Sequence, residues 1–131
     1  AYRQLKIGNP LDERNHVGPL IDIQAVRQYS EALEAIAQQG GVFAVAGGVL
    51  GGEDYASGCY VQPAIAEVAH HLSIVQQETF APILYLIRYK TLEEAIAIQN
   101  GVRQGLSSAI MTDSMQEMEH FLSARGSDCG I

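Results

Sequence analysis

The chain has 131 residues, 47% hydrophobic and 18% charged, enough apolar material for one domain-sized core and too little charge for a disordered chain. Its 15 acidic and 8 basic residues give a net charge of −7, which argues against a nucleic-acid or anionic-membrane surface, because phosphates need clustered Lys and Arg. No apolar stretch approaches the roughly 20 residues of a membrane span, nothing resembles a signal peptide, and two cysteines are too few for a disulfide framework, so a reducing, cytoplasmic setting is expected.

The chain opens on "AYRQLKIGNP", read as the inside of a helix carrying Tyr2, Leu5 and Ile7. It stops at "SDCGI", where a strand is expected to begin; both edges read as cut, which makes residues 1–131 an internal piece of a longer protein. Residues 8–22, rich in Gly, Pro, Asn and Asp, predict an irregular loop. A helix follows, capped by Asp22, with Ala25, Val26, Tyr29, Leu33 and Ile36 on one face. Gly40 and Gly41 end it by supplying a positive φ. "VFAVAGG" (42–48) predicts a short strand, "LGGEDYASG" a flexible loop, and "YVQPAIAEV" (60–68) an edge strand, because Pro63 cannot donate to a ladder. "HHLSIVQQE" predicts a short helical turn.

"PILYLIRY" (82–89) is apolar at successive positions, the pattern of a parallel strand buried on both faces. Two capping boxes, Thr91 with Glu94 and Ser114 with Glu117, start two further helices. The first turns Ala95, Ile96 and Val102 inward, the second Met115, Met118, Phe121 and Leu122. Between them "SSAIMT" (107–112) predicts another strand. Strand, helix, strand, helix and an incipient strand predict an α/β fold of parallel-sheet βαβ units with right-handed crossovers.

Few residues offer chemistry. His70 and His71 are adjacent and point apart, while His16 and His120 lie in separate segments, so no metal site is expected. Cys59 and Cys129 have no neighbouring His in sequence and read as small packing residues rather than nucleophiles. The glycine pairs at 40–41, 47–48 and 51–52 match no phosphate-binding pattern and read as turns. Glu31, Glu34, Glu93, Glu94, Glu117 and Glu119 fall on helix surfaces or caps. Glu78 differs: it precedes Phe80, Pro82 and the apolar strand, a place for either a structural ion pair or a ligand contact.

The string "QETFAPILYLIRYKTLEEAIAIQN" followed by "QGLSSAIMTD" resembles the C-terminal half of the aldehyde dehydrogenase catalytic domain. The matching positions are Glu78, Phe80, Ala81 and Pro82 of an E-x-F-[GA]-P motif, then Asn100, Gly105, Leu106, Thr112 and Asp113. Upstream, "IGNPLDERNHVGPLID" and "GCYVQPAI" match two further blocks, so the resemblance spans nearly the whole chain. "ETFAPILY", "QGLSSAI" and "GSDCGI" are most similar to the antiquitin-type branch, the α-aminoadipic semialdehyde (piperideine-6-carboxylate) dehydrogenases of lysine breakdown.

The resemblance implies that residues 1–131 are a partial catalytic domain. It also implies that Glu78 accepts hydrogen bonds from the ribose hydroxyls beside the nicotinamide of NAD or NADP, with Phe80 packed against the same region. A vicinal diol offers two donors and a carboxylate two acceptors. The resemblance also implies that the family's nucleophilic cysteine, general-base glutamate, oxyanion-stabilising asparagine and dinucleotide-binding domain have no counterpart in these residues, so no catalytic residue is expected in this chain. The expected activity therefore belongs to a longer enzyme, a homo-oligomer oxidising a small-molecule aldehyde to the acid, and this piece alone is expected to bind no coenzyme and to be inactive. The alternatives are an acyl-phosphate reductase relative, which shares the fold, and a non-catalytic α/β interaction module.

Overall fold

The structure is a computed structural model and describes residues 2–131, apart from the side chain of Arg3. It comprises two compact units, Ala1–Val75 with Thr79–Ile87, and Gln76–Glu78 with Arg88–Ile131.

The first unit is built on one amphipathic helix and a mixed sheet. Helix α1 (Ile23–Gln38) starts where the Asp22 carboxylate accepts the Ala25 N–H at 2.8 Å, satisfying one of the amides that a helix start leaves unpaired. It ends at Gly40, whose φ of 89° is open to glycine at little cost. Val26, Tyr29, Ala32 and Ile36 are its buried residues, the three-and-four spacing of one helical face. Strand β1 (Val42–Val45) runs antiparallel to β4 (Ala64–Glu67), which pairs in parallel with β5 (Ile83–Leu86). Strands β2 (Gly48–Val49) and β3 (Val61–Gln62) form a separate antiparallel ladder.

Two apolar clusters hold the helix to these strands. Ala32 and Ile36 pack with Ala66, Val68 and Ile74. Val26 and Tyr29 pack with Val61, and Ile83 borders both clusters. The Tyr29 ring is fully buried, yet its hydroxyl donates to the Gln62 carbonyl at 2.6 Å and accepts the Gly48 N–H at 2.8 Å. The helix thus reaches the β2–β3 ladder by hydrogen bonds as well as by apolar contact.

The expected α/β class with parallel pairing is present, and several local readings need correction. Residues 60–68 are no edge strand: Pro63 divides them, β3 pairs with β2, and β4 is the middle strand of its sheet. Pro63 falls where the chain passes from one ladder to the other, so its missing N–H interrupts neither. Strand β5 is not buried on both faces; Leu84 and Leu86 are 40% and 45% exposed while Ile83 and Tyr85 turn inward, the two-residue alternation of a sheet covered on one side. The loop after β1 contains β2 and a 3₁₀ turn, Glu53–Tyr55, and the opening helix is a single 3₁₀ turn, Tyr2–Gln4. The helical turn expected after His71 is a 3₁₀ turn, Ser73–Gln76.

In the second unit, α2 (Leu92–Asn100) and α3 (Met115–Leu122) begin at the expected caps, Thr91 accepting the Glu94 N–H at 3.2 Å and Ser114 the Glu117 N–H at 3.3 Å. A further correction lies between them. Residues 107–112 form no strand; Ser107 makes one isolated parallel bridge to Gly130, and Met111 is almost wholly exposed. A strand exists only by virtue of a partner, and the apolar run here finds one at a single position. Phe121 is buried as expected, but Met115, Met118 and Leu122 are exposed.

Candidate functional site

Glu78 lies between the 3₁₀ turn Ser73–Gln76 and β5, with its side chain exposed. It makes no ion pair or hydrogen bond among the described residues, so the structural ion pair left open as an alternative finds no partner among them. The exposed side chain leaves the carboxylate open to a ligand.

Phe80 is 83% exposed and sits on a tight turn. The Ala81 N–H donates to the Thr79 carbonyl at 2.7 Å and the Ile83 N–H to the Ala81 carbonyl at 2.8 Å, two successive three-residue turns leading into β5. The Pro82 carbonyl accepts the Ala64 N–H at 2.9 Å, fastening the end of the turn to β4. Pro82 fixes its own φ and biases Ala81 away from helical conformations, so the turn is stiff by covalent structure.

Tyr85, the third residue of β5, faces the same side as Ile83. Burial pushes its hydroxyl above the usual tyrosine range, with the Thr79 side chain opposing that shift. The oxygen is enclosed and has no hydrogen-bond partner of normal geometry.

The second unit holds a groove of about 860 Å³ between α2, residues 109–112 and α3. Ile96 and Phe121 are its buried liners, and Thr91, Glu93, Glu117 and His120 are among its polar ones. The Glu93 carboxyl is held below the ordinary range by its own backbone N–H, then by the Thr91 side chain and, more weakly, by the charge of His120. Asn100 donates to the Gly126 carbonyl at 2.9 Å and accepts the Asp128 N–H at 3.2 Å, while Gln99 donates to the Ser127 hydroxyl at 2.7 Å. Thr112 pairs its hydroxyl with the Glu117 carboxylate just ahead of α3. Asn100 and Thr112, both part of the motif blocks, thus hold chain segments together.

Both cysteines are free thiols. Cys59 is hydrogen-bonded to Ser57, and Cys129 lies beside Ser127 and Gln99; among the described residues neither is hydrogen-bonded to a histidine. Among the described residues no cluster of His, Cys, Asp and Glu is arranged to hold a metal ion, and no helix is long and apolar enough to cross a membrane.

The family model for the aldehyde dehydrogenase family matches residues 1–131. The chain belongs to the aldehyde dehydrogenase family. It is 45% identical over 130 residues to aldehyde dehydrogenase family 7 member A1 of Pisum sativum, covering 99% of this chain and 25% of that protein. It is 43% identical over 132 residues to the alpha-aminoadipic semialdehyde dehydrogenase of Mus musculus, covering all of this chain and 24% of that protein. Among solved structures, HpcC from Thermus thermophilus superposes with a TM-score of 0.86 at 29% identity, over 98% of this chain and 26% of that one. The chain therefore spans about a quarter of the length of the relatives it matches.

Within this aldehyde dehydrogenase segment, sequence reasoning singled out Glu78 and Phe80 and passed over Tyr85 and Thr79. The only hint in the sequence was a tyrosine inside an apolar run, whose hydroxyl must find a partner or carry a cost. The groove between α2 and α3 left no signal, because it joins residues some 20 positions apart that no pattern links.

Proposed function

We propose that this chain is part of the catalytic domain of an NAD(P)+-dependent aldehyde dehydrogenase, in which it supplies coenzyme contacts and no nucleophile. Glu78 accepts the ribose hydroxyls next to the nicotinamide, and Phe80 packs against the same part of the coenzyme. The observation that carries this is the exposed Glu78 carboxylate without a partner among the described residues, in a motif that the family resemblance ties to ribose binding. A carboxylate in an intramolecular ion pair would have to exchange that pair for a ligand; this one does not.

NAD(P)+, when bound, takes up the hydride released as the aldehyde is oxidised. What this chain does is hold and orient. The Glu78 oxygens fix the ribose, and the Pro82-stiffened turn limits where Phe80 can go. An activated nucleophile needs a neighbouring base, and in the same proposal acyl chemistry belongs to other parts of the enzyme, leaving the chain alone inactive.

For substrate, the similarity to alpha-aminoadipic semialdehyde dehydrogenase at 43% identity supports an amino-acid semialdehyde and a place in lysine breakdown. A homo-oligomer and a cytoplasmic setting belong to the same proposal, the latter in keeping with two free thiols. The test is NADH formation by a protein of the relatives' length carrying this chain, supplied with α-aminoadipic semialdehyde and, separately, simple aliphatic aldehydes. Activity with the semialdehyde foremost is expected. A protein inert towards all aldehydes would overturn the reading.

A further inference from the structure

We propose that the Tyr85 hydroxyl positions the 79–82 turn by engaging the Thr79 side chain, and so sets where Phe80 is presented. The inference rests on the reading of Phe80 as a coenzyme contact and adds residues that reading does not use.

The Tyr85 oxygen is enclosed without a hydrogen-bond partner of normal geometry among the described residues. A buried, unpaired hydroxyl is a cost that phenylalanine would avoid while filling the same space. Such a group is explained if it gains a partner in another state of the turn. In this proposal Thr79 is that partner: its side chain is the group that opposes the rise of the phenol, and among the described residues Thr79 is otherwise bonded through its carbonyl.

The two ends of the turn differ in how they are held. Tyr85 sits in β5 opposite Ala66 of β4, and the Pro82 carbonyl is bonded to Ala64, so the strand end is fixed to the sheet. At the other end Thr79 is tied only through its carbonyl, to Ala81 two residues on. In this proposal a rotation of the Thr79 side chain between staggered positions closes the hydroxyl pair. Closing it fastens both ends of the turn and fixes Phe80 between them. Tyr85 and Thr79 are positioning residues in this scheme, and neither touches the coenzyme.

The experiment uses a protein of the relatives' length carrying this chain and reads KM for NAD+ separately from kcat. Thr79→Val and Tyr85→Phe are each expected to raise KM about three- to tenfold, the worth of one neutral hydrogen bond, with kcat within about twofold. Thr79→Ser, which keeps the hydroxyl, should retain the wild-type KM, and the Thr79→Val, Tyr85→Phe double variant should be no worse than either single one. Should Tyr85→Phe fold poorly, Thr79→Val on the half-buried turn carries the test. An unchanged KM in Thr79→Val beside a raised KM in Phe80→Ala overturns the positioning role alone. An unchanged KM in Phe80→Ala overturns the coenzyme reading beneath it.

Discussion

The Gly48 amide donates to the Tyr29 hydroxyl at 2.8 Å, joining the middle of α1 to a ladder 19 residues further along the chain. The same hydroxyl donates to the Gln62 carbonyl at 2.6 Å, so one phenol oxygen serves one amide and one carbonyl. Tyr29→Phe keeps the ring and removes both bonds. A loss of about 1–3 kcal/mol is expected, because the partners are left partly buried and unpaired. Gly47→Ala should cost more: its φ is 72°, and an added Cβ would lie 2.2 Å from the Tyr29 oxygen. Urea denaturation of the three proteins checks the order.

This contact also marks where sequence reading stopped. The three-and-four spacing placed Tyr29 on the buried face of α1, and Asp22, Thr91 and Ser114 were legible as caps, because those features depend on residues within a few positions of one another. The Tyr29 hydroxyl's partners depend on where residues 48 and 62 arrive in space. Residues 107–112 failed for the same reason: their apolar pattern is that of a strand, but a strand is a relation to a neighbour, and only Ser107 has one. The exposure of Leu84 and Leu86 was hidden too, since an unbroken apolar run does not say how many faces of a sheet are covered. Of the candidate site, Glu78 and Phe80 were legible through a motif, while Tyr85 read only as strand.

Glu78→Ala should leave folding unchanged, since the side chain is exposed and has no hydrogen bond or ion pair among the described residues. In a protein of the relatives' length the same change is expected to raise KM for NAD+ by roughly ten- to a hundredfold, because charge-assisted hydrogen bonds contribute on the order of 1.5–3 kcal/mol each. Steady-state kinetics at varied NAD+ measure this. Wild-type coenzyme kinetics in the variant would remove Glu78 from the site.

Alkaline pH should destabilise the first unit. Burial raises both Tyr29 and Tyr85 above the ordinary value of 10.0. For each, the unfolded chain loses its phenolic proton at lower pH than the folded chain, so above that value the folded state binds more protons and stability falls as pH rises. Below it both forms are neutral and these two groups contribute no pH dependence. Thermal melts between pH 8 and 11 should show Tm falling from about pH 10 upward, less steeply in Tyr29→Phe. A Tm independent of pH across that range would show that neither hydroxyl is as buried as described.

In the second unit Asn100 and Gln99 fasten the C-terminal end of α2 to residues 126–128. Asn100 reaches the Gly126 carbonyl with its amide nitrogen and the Asp128 amide with its oxygen, at 2.9 and 3.2 Å. Gly126 is itself enclosed, and a Cβ there would lie 1.9 Å from the Phe121 carbonyl oxygen, so the chain can turn this tightly after α3 only at glycine. Asn100→Ala removes both bonds without adding bulk and should cost about 1–2 kcal/mol. Asn100→Asp separates the two: a carboxylate still accepts from Asp128 but cannot donate to Gly126, and it sets a negative charge against a carbonyl oxygen. It should therefore cost at least as much as alanine. Hydrogen exchange is the measurement to use, because the effect is local. Faster exchange at the Asp128 and Ser127 amides, with α1 unaffected, is the expected pattern, and equal acceleration in both units would show that Asn100 supports the whole chain instead.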